Sequence, residues 1–102
     1  MSYALNVRST AKDDVLEAAL WYEQQQPGLG ARFVEAVDQS VARLSELPTI
    51  HRIRFRDVRR APVRGFEIYG IFYLIAEAEV KIFAIHHGSR NPRWIRERRR
   101  NV

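Results

Sequence analysis

The chain of 102 residues contains no cysteine. Disulfides and thiolate metal sites are therefore excluded, and a reducing compartment is compatible with it. Lysine is almost absent, with only Lys12 and Lys81 against fifteen arginines. Glycine (5) and proline (4) are sparse, and no linker or low-complexity stretch divides the chain. The longest apolar stretch, Ile68 to Ala76, is far too short to span a bilayer as a helix. The first residues lack a basic region followed by an apolar run, so no signal peptide is expected. A single cytoplasmic domain without membrane association is the expectation.

What is present is 46% hydrophobic residues, enough for one core, and a charge that is unevenly placed. Residues 1–50 hold 4 Lys/Arg against 7 Asp/Glu, whereas residues 51–102 hold 13 against 5. A basic half attracts nucleic acid or an acidic protein segment; a solvated arginine-rich surface is the plainer alternative.

Tyr3, Leu5 and Val7 alternate with Ala4, Asn6 and Arg8, which predicts a first strand. Ser9 or Thr10 is placed as an N-cap, with Thr10 and Asp13 forming a loose capping box. Ala11, Val15, Ala18 and Tyr22 share one helical face, widened by Leu16, Ala19 and Leu20, and the helix is expected to run to about Gln26, before Pro27. After the break Pro27-Gly28-Leu29-Gly30, a second helix carries Phe33, Val37, Val41 and Leu44, joined by Ala36, Ser40 and Leu47, and ends at Pro48. So short a break folds the two helices into an antiparallel hairpin.

Beyond Pro48, Arg52, Arg54 and Arg56 alternate with Ile53 and Phe55, as a strand or extended loop with one basic face. Val58 to Arg64 continues it, with Pro62 favouring an edge. Phe66 to Ile75 is apolar on both faces, as in a central strand. Ala76 to Glu79 turns the chain, and Val80 to His86 returns. Asn91-Pro92 reads as an N-cap with proline at the first helical position, opening a short basic helix. The fold class is α+β: an N-terminal strand, an antiparallel helical hairpin, then three antiparallel strands in one small sheet (β-α-α-β-β-β), with a possible C-terminal helix.

Polar bases gather where this sheet ends. His86 and His87 are adjacent on a strand and point to opposite faces, so only one can join a given site. With His51 they make no metal-binding spacing, and Gly28-Leu29-Gly30 lacks the third glycine and preceding strand of a dinucleotide fingerprint. No metal or cofactor is expected. Tyr22 is expected in the core, with Trp21 half-exposed or part of a surface for a partner helix.

These elements together resemble the RelE/ParE toxin superfamily of type II toxin–antitoxin systems, over nearly the whole chain. The residues that carry the resemblance are Ala11, Asp14, Ala18 and Trp21-Tyr22, then Pro27-Gly28-Leu29-Gly30 with Arg32-Phe33. In the sheet they are Arg59-Arg60, Val63, Phe66, Ile71-Phe72-Tyr73, Ile82-Phe83-Ala84-Ile85, His87, Arg90 and Pro92. The closer likeness is to the ParE-like, plasmid-stabilisation branch.

The resemblance implies a toxin held silent by a ParD-type antitoxin whose acidic C-terminal segment folds across it. Operator DNA would be reached only through that antitoxin. ParE-like members inhibit DNA gyrase by binding it, whereas RelE-like members cut mRNA on the ribosome without a metal. A RelE-like endoribonuclease site would draw on Arg60, His87, Arg90 and Tyr73. Such nucleases carry several lysines on the middle strands, an arginine where this chain has Gly70 and a tyrosine where it has Trp94, which cannot exchange a proton. The ParE-like reading is therefore preferred, with Arg59, Arg60, His87, Arg90 and Trp94 at the target and Trp21, Arg96, Arg98 and Arg99 at the antitoxin. A non-toxic basic binding module is the third reading, since fold likeness alone does not fix function.

Overall fold

A computed structural model describes residues 2–88 and 91–102. Among them, strand β1 (Ala4–Val7) leads into helices α1 (Ser9–Gln25) and α2 (Leu29–Arg43). A 3₁₀ turn at Pro48–Ile50 is followed by β2 (Ile53–Phe55), β3 (Val58–Val63), β4 (Phe66–Ala76) and β5 (Glu79–His87), and helix α3 (Pro92–Arg99) comes last. One mixed sheet has the order β1-β5-β4-β3-β2; β1 runs parallel to β5 and every other pairing is antiparallel. The α+β expectation holds. The stretch 52–64 resolves into two strands joined by a tight turn, where Arg56 takes a left-handed φ of 50°. β2 pairs only with Val58 and Arg59, so Pro62 has no ladder partner on that side, as a residue without an N–H requires.

The helical hairpin lies on one face of the sheet. Ala11, Ala18, Phe33, Val37 and Leu44 are buried there against Ala61, Val63, Ile71, Tyr73, Val80, Ile82 and Ile85. Each large side chain so covered contributes about 1.5–3 kcal/mol relative to exposure. Gly28 makes the interhelical turn with a left-handed φ of 89°. Gly30 lets the helices touch, because a Cβ there would lie 2.6 Å from the Ala19 carbonyl oxygen. The free N–H groups at the start of α2 are satisfied by Glu23, whose carboxylate accepts from Gly28 and Gly30 at 3.0 Å each. Leu16 and Leu20, expected to widen the core face of α1, instead face outward with Trp21, and Leu47 is exposed as well. The sheet and α2 cover the Ala11–Tyr22 line of α1 and leave its next face uncovered.

α3 lies on the opposite face of the sheet. Ile95 is buried with Val58, Phe83 and Ala84, flanked by Phe55, Phe72, Trp94 and Val102. Its start follows the expectation, since Asn91 Oδ1 accepts the Arg93 N–H at 2.9 Å with Pro92 at the first position. The start of α1 departs from it. No side chain caps the helix, and Thr10 Oγ1 donates to the Phe83 carbonyl at 2.9 Å. β1 pairs with β5 only as far as Ile82, so the edge of β5 beyond it needs partners from α1.

Candidate functional site

Asp14 supplies the second of those partners. Its Oδ2 accepts from the Ile85 N–H at 2.9 Å and from Arg98 Nη1 at 2.5 Å, and its Oδ1 lies 3.6 Å from His86 Nε2. Arg98 also donates to the Phe83 carbonyl at 3.3 Å and lies 3.8 Å from the centre of the Trp94 ring. Trp94 in turn stacks on His86 with ring centres 3.5 Å apart. α1, β5 and α3 are thus joined at one buried polar knot. Burial opposes the charged form of Asp14, yet hydrogen bonds from His86, Arg98 and Ile85 outweigh it and hold its pKa below the usual carboxylate value. His86 is buried here, and its Nδ1 has no hydrogen-bond partner among the described residues.

A bulge decides which histidine goes where. Phe72 pairs with Ala84 and Tyr73 with Ile82, so Phe83 is an extra residue in β5. Phe83 and Ala84 therefore both pack on the α3 side, and the alternation shifts by one. His86 is sent beneath Trp94, while His87 stands half-buried and edge-on to Tyr69 at 5.4 Å, beside the hairpin. Strict two-residue alternation from Ile82 would reverse them.

Arg59 and Arg60 also separate. Arg59 Nη1 donates to the His51 carbonyl at 2.6 Å and the Thr49 carbonyl at 3.3 Å, pinning the loop after α2. Arg60 turns to the α3 side and lies across Gly70, where a Cβ would sit 2.7 Å from the guanidinium carbon. Its Nη2 donates to the Glu67 carbonyl at 3.2 Å. Burial and the nearby Arg54 hold its pKa below the ordinary guanidinium value. Arg54, Arg60 and Arg96 line a cleft of about 230 Å³ together with Phe55, Phe72, His86 and His87.

Tyr73, named for a nuclease site, is on the other side of the sheet from Arg60. It is fully buried, its hydroxyl donates to the Pro48 carbonyl at 2.6 Å, and burial pushes its pKa up to about 12. Trp94 is half-buried in the polar knot. Arg90 lies outside the described residues. Of the residues assigned to an antitoxin, Arg98 is held by Asp14, and Arg99 forms a two-pronged pair with Asp57 at 3.0 and 2.8 Å. Arg96 lies 5.7 Å from the Phe55 ring centre. Trp21 is exposed beside a second groove of about 820 Å³, lined by Leu20, Ile68, Tyr69 and His87 among others. Sequence reasoning did not single out Arg54, Asp14 or Asp57 for these positions. The alternation Arg52-Ile53-Arg54-Phe55 was the available sign for Arg54. Among the described residues no three His, Asp or Glu side chains gather to hold a metal ion, and no helix is long and apolar enough to cross a membrane.

The chain thus carries a helical hairpin on one face of a five-stranded mixed sheet and a basic cleft on the other, and its fold is shared by solved toxin and toxin–antitoxin structures. A chain of the chromosomal ParDE toxin–antitoxin system from P. aeruginosa superposes with a TM-score of 0.72 at 15% identity, over 84% of this chain and 96% of that one. A free-state variant of the E. coli toxin RelE, with two arginines replaced by alanine, gives 0.72 at 16% identity over the whole of both chains. A chain of the Mycobacterium tuberculosis toxin–antitoxin complex RelBE2 gives 0.62 at 20% identity, over 85% of this chain and 99% of that one. Residues 5–92 match the family described as "ParE toxin of type II toxin-antitoxin system, parDE", and the chain belongs to that family. No curated protein sequence matches the chain.

Proposed function

We propose that this ParE-family toxin acts by binding DNA gyrase through its basic α3 face, without cleaving a nucleic acid, and that a ParD-type antitoxin with an acidic C-terminal segment neutralises it. The observation that carries this reading is the separation of Arg60 from Tyr73 across the sheet. A metal-independent ribonuclease needs an acid, a base and a cation around one phosphate. Here the phenol is buried on the far side with its pKa raised to about 12, while His86 is enclosed between Asp14 and Trp94. The α3 side instead combines Arg54, Arg60 and Arg96 with the half-buried aromatic rings of Phe55 and Phe72, a composition suited to protein recognition. Antitoxin binding is supported by the outward face of α1, where Leu16, Leu20 and Trp21 are more than half exposed and Leu20 and Trp21 share a groove with the similarly exposed Ile68.

Induced expression in a bacterial host tests the reading. The expected result is loss of plasmid negative supercoiling and induction of the DNA-damage response, with mRNA left intact on ribosomes. Codon-linked mRNA cleavage would replace it with a RelE-type activity, and normal growth would leave a binding module without toxicity.

A further inference from the structure

Gly70 and Arg60 form a slot that fixes a guanidinium. Gly70 is buried in β4 and lies where any side chain would collide with the Arg60 stem, its Cβ falling 2.8 Å from Arg60 Cγ. The Glu67 carbonyl accepts from one end of the guanidinium, which fixes its orientation. An arginine so held presents its remaining N–H groups as a fork with little entropy left to lose on binding. Arg54 and Arg96 flank it, and Phe55 and Phe72 form apolar walls.

The occupant can be argued from this arrangement. A nucleic-acid backbone is gripped by cations spaced along a track, one phosphate after another. Two arginines on this side are instead committed internally: Arg98 to Asp14, and Arg99 to Asp57. Arg54, Arg60 and Arg96 converge on one small cleft rather than tracing a path. Its volume of about 230 Å³ is on the scale of a side chain or two, and its walls are aromatic. His86 lines the same cleft, and its Nδ1 has no hydrogen-bond partner among the described residues. The apolar face of α1 that suits an antitoxin borders a different groove, which shares only His86 and His87 with this cleft among the described residues, so Arg54, Arg60 and Arg96 are left for the target.

We infer that the Arg60–Gly70 slot is a carboxylate-binding subsite, which takes one Asp or Glu side chain and its apolar neighbour from an acidic surface segment of the target protein. This deepens the gyrase reading and rests on it for the identity of the target, but the chemistry of the slot can be tested separately.

The probe is a capped five-residue peptide alternating leucine and glutamate, titrated into the full-length protein while the backbone amide resonances of Glu67 and Gly88, which lie beside the Arg60 guanidinium, are followed by NMR in every variant, and the Arg60 Nε–Hε resonance in those that retain it. A saturable shift is expected, weakened about tenfold or more when glutamine replaces glutamate, as for loss of a charge-assisted pair. Gly70→Ala should weaken it similarly by displacing Arg60, and Arg60→Gln should abolish it. Arg60→Lys should not restore it, because an ammonium lacks the fork. Thermal melts accompany each variant; if Gly70→Ala does not fold, the two Arg60 variants carry the test. An Arg60 signal unmoved by millimolar peptide, or moved as strongly by the glutamine control, would overturn the inference. A shift produced only by a single-stranded oligonucleotide would replace it with a nucleic-acid site. Peptide binding without gyrase inhibition leaves the slot and removes the target. Gyrase inhibition that survives Gly70→Ala and Arg60→Gln at unchanged potency does the reverse.

Discussion

Asp14 in α1 and Arg98 in α3 meet at 2.5 Å across the edge of β5, and the same carboxylate accepts the Ile85 N–H. One side chain therefore closes a strand edge and anchors the C-terminal helix. Asp14→Asn keeps an acceptor but leaves Arg98 partly buried without its counter-charge. We expect a loss of about 2 kcal/mol, within the range for a hydrogen bond to a charged group and below that for a fully buried pair. Urea denaturation should show a lower midpoint with an unchanged slope. Amide exchange should quicken over residues 92–99 before it does in β4.

Acid should act on the same joints. Asp14 is held below the ordinary value of 3.8 against the opposing effect of burial, and Asp57 is held below it chiefly by Arg99. A carboxylate depressed in the folded state stabilises fully above its unfolded pKa, and this contribution disappears as pH falls through the folded one. Stability should thus stay level down to about pH 4–5 and fall below 3.8 as the α3 tethers are protonated. Asp57 is about half exposed, so 1 M salt should remove much of its share and leave that of Asp14. A pH titration of the denaturation midpoint at two salt concentrations separates them.

At the alkaline end Tyr73 behaves oppositely. Its pKa is raised to about 12 by burial, so the neutral phenol is the folded form. That stabilisation is complete below the unfolded value of 10 and is lost as pH rises toward 12. The two-unit difference sets an upper limit of about 3 kcal/mol. Tyr73→Phe should cost about 1 kcal/mol at pH 7 through the lost bond to the Pro48 carbonyl. It should also flatten this alkaline limb, as read by denaturation between pH 9 and about 12.

How far these features could be read in advance depended on periodicity. The stripe Phe33, Val37, Leu44 and the start of α3 at Asn91-Pro92 were legible because local pattern and local chemistry agree there. Leu16 and Leu20 were misread as core, since helical spacing identifies an apolar face but not whether anything covers it. Thr10 reads as a helix-terminus residue, and Asp14 stands out through the family resemblance. In the fold they satisfy the backbone of a strand some seventy residues away, which no local signal announces. The bulge at Phe83 is equally silent, and it alone decides which histidine joins which face. Gly70, noted as an unusual occupant of a middle strand, acquires its meaning only with Arg60 lying across it.

The uncovered face of α1 gives a separable test of antitoxin binding. Leu20→Ser combined with Trp21→Ser alters exposed positions, so stability should change by no more than about 0.5 kcal/mol. Affinity for the cognate antitoxin should fall by about tenfold or more if these residues anchor it. Calorimetric titration checks both variant and parent. An unaltered affinity would move the antitoxin to another surface.

The most direct measurement is supercoiling by purified gyrase with the purified toxin added, run beside a ribosome-programmed mRNA cleavage assay. Dose-dependent inhibition of supercoiling is predicted, weakened about tenfold or more by Arg60→Gln, with the mRNA intact. Full supercoiling activity together with cleaved mRNA would contradict the account.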